Sequence, residues 1–167
     1  LAAMDYHPQF TLVLAFDSPV LPSRDFHALV NTDQNHAIAW LSFEEDKPDH
    51  VASSGSLIIA QMSPAWSADH YEIPADDWQR EVTTMIGELL GVSLPDAAWW
   101  DSQRWRFAHP KPGSGMPPEI RKHYENEGLF LAGDGFFGKG RLPLALQSGL
   151  ETADRICANF PKSDRHA

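Results

Sequence analysis

"LFLAGDGFFGKGRLPLALQSGLETAD", running from Leu129 to Asp154, is the stretch on which the fold turns. A short apolar run, a glycine-dense turn and a helix-like segment follow one another. Gly133, Gly135, Gly138 and Gly140 surround one acid, Asp134, and two bases, Lys139 and Arg141. A strand that feeds a glycine turn and then a helix is a common way to hold phosphates and dinucleotides. The glycines let a ligand approach the backbone, and the helix start offers free N–H groups. Nucleotide-binding chains rarely place such a loop near their C-terminus, so its position needs an explanation.

Three readings of the loop compete. "GDGFFGKG", Gly133 to Gly140, nearly matches a phosphate loop. However, Gly140 stands where such a loop needs Ser or Thr for Mg²⁺, and no strand follows the helix. The second reading is the late Gly-Asp of a flavin-binding chain. Asp134 would then accept hydrogen bonds from ribityl hydroxyls, and the helix start would face the isoalloxazine edge that gains negative charge on reduction. The third is an ordinary strand–turn–helix whose glycines serve tight packing. Spacing alone does not separate the second from the third.

Upstream, "QFTLVLAF" (residues 9–16) is apolar on both faces and reads as a central strand. "FHALVN" and "HAIAWLSF" read as strands joined by "TDQN". "EEDKPDH" is a charged turn, and "SLIIAQM" is a fourth strand. Four short strands in succession predict an antiparallel sheet. "MSPAWSADHYEIPADD" reads as a polar, aromatic loop. Trp78, Val82, Met85, Ile86, Leu89 and Leu90 then fall on one helical face, which Gly91 ends. In "SQRWRFAHP", Gln103, Trp105 and Phe107 alternate with Arg104, Arg106 and Ala108, the pattern of a half-buried strand. "KPGSGMPP" is a surface loop, and "GLFLAG" is the last strand. The final helix starts near Leu142 or Pro143, with Leu142, Leu146, Gly149, Leu150, Ala153 and Cys157 on one side. Gly149 is expected to allow close packing on a neighbour, and the tail "PKSDRHA" to fray.

Composition narrows the function. The chain has 167 residues, 43% hydrophobic and 11% aromatic, with six tryptophans, enough for a substantial core or a flat-ligand pocket. A net charge of −10 argues against non-specific nucleic-acid and anionic-membrane binding. No apolar run approaches the roughly 20 residues of a membrane span, and no stretch reads as a secretory leader. The single cysteine, Cys157, reads as a core thiol in a cytoplasmic, reducing compartment. None of the eight histidines lies in a metal-ligand spacing, so no metal is expected. His70, beside Trp66 and Tyr71, reads as either a surface loop histidine or a pocket residue. Trp105 can face a flat ligand while Arg104 or Arg106 meets an anion, or it can be a core tryptophan flanked by solvent-facing arginines. No G-x-S-x-G or other hydrolase spacing occurs.

Together these segments resemble the C-terminal half of a renalase-like flavoprotein, in the flavin-containing amine oxidase superfamily. "IAWLSFEEDKPDH" with "MSPAWSADH" resembles that family's strand, Lys-Pro turn and Trp-Ser-x-x-His loop. "QRWRFAHP" resembles its Arg-Trp strand, and the stretch from Leu129 resembles its Gly-Asp-Gly-Phe segment and closing helix. The resemblance covers most of the chain from about Ile38 onward. It implies an α+β fold: an antiparallel sheet with covering helices, plus the terminal strand–helix of a Rossmann-like FAD domain. The implied division is a substrate domain over residues 1–125, the strand–loop–helix over 126–160 and a tail over 161–167.

The chain opens on Leu1 and has no G-x-G-x-x-G, so a fragment is expected, whose partner is the N-terminal dinucleotide-binding half of the same protein. The resemblance implies non-covalent FAD that needs that half, and hydride transfer from a dihydronicotinamide-type substrate or an amine, with O₂ as acceptor. The implied cofactor residues are Gly133, Asp134, Gly135, Arg141, Leu142, Pro143, Leu144 and Ala145. The implied substrate residues are Trp66, His70, Arg104, Trp105 and Phe136. Wider-superfamily chains often carry Val-Glu-Gly-Ala where this one has Leu142-Pro143-Leu144-Ala145. No side chain is nominated as a base. A phosphate-loop nucleotide-binding domain and a non-catalytic binding domain stand as alternatives.

Overall fold

The computed structural model describes residues 5–21, 23–51, 54–137 and 139–160. Gly138 of the glycine turn and the 161–167 tail therefore lie outside the described residues. In chain order the elements are β1 (Tyr6–Phe16), β2 (Ala28–Val30), β3 (Ile38–Phe43), β4 (Ser56–Met62), α1 (Pro64–Asp69), α2 (Ala75–Leu90), β5 (Trp99–Pro110), α3 (Pro118–Asn126) and α4 (Leu142–Asn159). Single 3-10 turns lie at Glu44–Asp46 and Asp134–Phe137.

The strands form one sheet in the order β2-β3-β4-β1-β5. The β2–β3, β3–β4 and β4–β1 pairs are antiparallel. At the far edge, Ala98 N–H donates to Ala15 at one end of β5 and Lys111 N–H to Asp5 at the other, so β5 also runs antiparallel to β1. The expected sheet is present and β1 is interior. β2 is shorter than "FHALVN" suggested.

By compactness the described chain divides into two units. One takes the residues up to His7 and from Phe107 onward, and the other takes Pro8–Arg106. In the second unit one face of the sheet is covered. Phe10, Leu12, Leu14 and Phe16 of β1 and Ile58, Ala60 and Met62 of β4 alternate inward and are buried. Trp78, Val82 and Ile86 of α2 close over them at four-residue spacing, as the helical face required. Each fully buried side chain of this size contributes roughly 1.5–3 kcal/mol.

The 63–69 segment is a helix rather than the expected loop. Ser63 Oγ caps it by accepting Trp66 N–H at 3.3 Å, and Pro64 suits the first turn. Three further expectations need correcting. Leu129–Gly133 joins no ladder among the described residues, and a strand exists only beside a hydrogen-bonded neighbour. On α4 the buried residues are Ser148 and Thr152, while Leu142, Leu146 and Leu150 are exposed, as is Cys157. Nothing lies within 4 Å of a Cβ placed on Gly149, so no neighbour within the described residues uses the close approach it permits. α3 was not anticipated.

Candidate active site: the glycine loop and an aromatic cluster

In the unit that starts at Phe107, polar side chains of α4 hold the glycine loop. Gly133 N–H donates to Ser148 Oγ at 3.0 Å. Thr152 Oγ1 lies 3.2 Å from the Leu131 carbonyl and 2.7 Å from the Ser148 carbonyl. Arg155 bonds Thr152 Oγ1 at 2.8 Å and pairs with Glu125 of α3 at 2.8 Å. The segment before the loop is therefore tied down along one stripe, Ser148–Thr152–Arg155. Gly133 takes φ +149°, a backbone state that side chains other than glycine rarely adopt. The chain then turns through Asp134–Phe137 with Gly135 buried and Asp134 and Phe136 half-buried.

Arg141 is the N-cap of α4, in extended conformation, and no side chain caps the helix. Ala145 N–H donates to the Arg141 carbonyl at 3.0 Å, and Pro143 has no N–H. The amides of Leu142 and Leu144 are thus the donors of the first turn that lack an intrahelical acceptor. Of the four residues expected to present backbone N–H groups, these two can.

Two neighbours of the loop were not nominated from the sequence. Tyr6 packs edge-on against Phe107 at 6.1 Å, and its phenol is held above the ordinary value by burial and by the charge of Asp134. His109 is half-buried, and its pKa is lowered by burial first and then by the positive charges of Arg141 and His7, with Asp134 opposing. No spacing in the sequence pointed to His109, because its neighbours come from three separate segments.

In the Pro8–Arg106 unit, Trp66 is buried and stacks on His70 with centroids 3.8 Å apart and planes at 11°. Trp66 Nε1–H donates to Glu81 at 3.3 Å, and His70 Nδ1 lies 2.8 Å from the Trp66 carbonyl. Phe10 and Trp78 meet Trp66 edge-on. Arg104 donates to the carbonyls of Tyr71 and Ile73 at 2.8 and 2.5 Å and covers the Phe10 ring at 5.2 Å. Both terminal nitrogens therefore hold backbone. Arg106 reaches the Tyr71 hydroxyl at 3.1 Å and lies over its ring. Trp105 is 54% exposed, on the sheet face away from α2. The reading of Trp105 as a core tryptophan flanked by solvent-facing arginines is overturned: the tryptophan faces out, and Arg104 faces in.

The loop suits a flavin by its donor set. A half-buried carboxylate can accept hydroxyls, two amides of the first turn have no intrahelical acceptor, and a cation sits at the N-cap. Among the described residues no group of three or more metal-ligating side chains occurs, and no helix is long and apolar enough to cross a membrane.

No curated protein matches the chain. Among solved structures it is similar to a protein from Exiguobacterium sp. 255-15 assigned as a protoporphyrinogen oxidase, with 19% identity and a TM-score of 0.72. The match covers 93% of this chain and 36% of that one, so the chain spans about a third of that protein's length. This likeness is one of fold. The family model described as flavin containing amine oxidoreductase matches residues 1–157, nearly the whole chain. The chain belongs to the flavin-containing amine oxidoreductases.

Proposed function

We propose that this chain supplies the flavin loop and part of the substrate-binding surface of an FAD-dependent oxidase of renalase type. The substrate is a dihydronicotinamide-type molecule or an amine, and O₂ is the electron acceptor. The observation that carries the reading is the build of residues 133–137 and 139–145, with Asp134 half-buried beside an uncapped helix start. FAD, when bound, supplies the hydride acceptor. Asp134 accepts hydrogen bonds from the ribityl hydroxyls. Gly133 and Gly135 let the backbone approach. The Leu142 and Leu144 amides and Arg141 face the edge where negative charge develops, with Pro143 and Ala145 shaping that turn. The N-terminal dinucleotide-binding half of the same protein is the partner that completes a non-covalent site.

Substrate recognition rests on flat surfaces and a cation. Trp105 and Phe136 offer aromatic faces, and Arg106 rather than Arg104 suits an anion, because Arg104 is committed to carbonyls. His70 and Trp66 act as one stacked unit. Positioning and water exclusion are the protein's contribution to hydride transfer, and a dihydropyridine gives up hydride without a side-chain base.

The test uses the full-length protein that carries this chain. It is expected to be yellow, and Asp134→Ala should raise the FAD dissociation constant about tenfold or more, the loss of a charge-assisted hydrogen bond. FAD retention unchanged by that substitution would count against the assignment.

A further inference from the structure

A Cβ placed on Gly140 would sit 2.8 Å from His109 Nδ1, 3.2 Å from Pro110 Cδ and 3.5 Å from the Ala108 carbonyl. Only glycine fits there without a shift, and the imidazole is the group that an added Cβ would meet most closely. Gly140 immediately precedes Arg141, the N-cap of α4. His109 on β5 therefore lies against the backbone that leads into α4, one residue before its N-cap. Among the described residues, the charged groups that act on His109 include His7 on β1, Asp134 on the 3-10 turn and Arg141 at the helix start. Two of these are basic, so a proton on the imidazole meets net repulsion there as well as the penalty of burial.

We propose that His109 is a positioning residue of the flavin loop: its neutral imidazole seats Gly140 and aims the first turn of α4, and protonation loosens that seat. The proposal rests on the reading that residues 133–145 hold flavin. The sign follows from the lowered pKa. A histidine kept neutral by its surroundings supports the arrangement above its ordinary value and withdraws that support as pH falls through its lowered value. Flavin affinity is therefore expected to weaken below about pH 6.5.

The experiment measures FAD dissociation constants from pH 5 to 8 in the full-length protein. The variants are His109→Gln, His109→Ala, Gly140→Ala, the Gly140→Ala/His109→Ala pair and Asp134→Ala. His109→Gln should bind within about threefold of wild type at pH 8 and lose most of the acid-side weakening, a change that a purely structural role would not produce. Gly140→Ala should weaken binding about tenfold by overpacking, and adding His109→Ala should recover most of that loss. An unchanged pH slope in His109→Gln, or a Gly140→Ala defect equally large without the imidazole, overturns the proposal. Failure of the flavin reading itself looks different. Asp134→Ala then leaves FAD binding untouched, while the Gly140–His109 coupling still appears in the melting temperature.

Discussion

Glu44 shows how single residues set the local chemistry. Its carboxylate is buried, yet it accepts Ser42 Oγ at 3.0 Å, Lys47 Nζ at 2.6 and 2.7 Å and contacts His50 Nδ1 at 3.0 Å. Burial disfavours its charge, and the hydrogen bonds from Lys47, His50 and Ser42 outweigh that, so its pKa falls below the ordinary 4.5. A depressed carboxylate adds stability above its unfolded value and loses it as pH falls through the lowered folded value. Melting temperatures should therefore drop on acidification below about pH 4.5. Glu44→Gln should be less stable than wild type at pH 7 and show a shallower acid limb. Equal slopes in the two proteins would remove Glu44 from the account. Arg104 makes the converse point. A residue type suited to anions is occupied by two carbonyls, which no sequence spacing discloses.

Among the elements, α4 departs most from its pattern. Its leucines at four-residue spacing promised a buried face, but Leu142, Leu146 and Leu150 are 85%, 64% and 61% exposed. The face turned toward the rest of its unit is polar, because Ser148 and Thr152 serve the loop backbone rather than an apolar core. Ser148→Ala should leave the Gly133 N–H without its partner and destabilise the protein by about 1–3 kcal/mol. Urea unfolding of the full-length protein measures this, and a change below about 0.5 kcal/mol, the range of an ordinary surface substitution, contradicts it. β5 behaves similarly. Its alternation was correct, but the face that carries Arg104, bonded to the Tyr71 and Ile73 carbonyls between α1 and α2, is the covered one, and Trp105 is exposed.

For the whole molecule, the sheet and α2 form the core on which the Pro8–Arg106 unit depends. Ile86 is fully buried on α2's inner face. Ile86→Ala should lower stability by about 2–5 kcal/mol through lost transfer energy and a cavity. A melting temperature close to wild type would show that the site collapses around the smaller side chain. The family match runs over nearly the whole chain, whereas the solved structure of similar fold is about three times as long. The chain carries the glycine loop proposed here to hold flavin, and its sequence contains no G-x-G-x-x-G turn of the kind that usually shares that task.

The sequence by itself determined what depends on short-range periodicity. Short apolar runs between turns specified β1 to β4, alternation specified β5, four-residue spacing specified α2, and Gly-Asp before a proline-started helix specified the loop and α4. It missed α1, although Ser63-Pro64 carried a cap signal, because aromatic and polar residues dominate that stretch. Tertiary structure alone decided which face of β5 and α4 is covered, because a pattern shows two faces but not what packs on either. It also decided that Arg104 holds backbone, that Leu129–Gly133 goes unpaired within the described residues, and that His109 meets Gly140. Each of these is a contact between segments distant in sequence, and local residue order does not encode such distances.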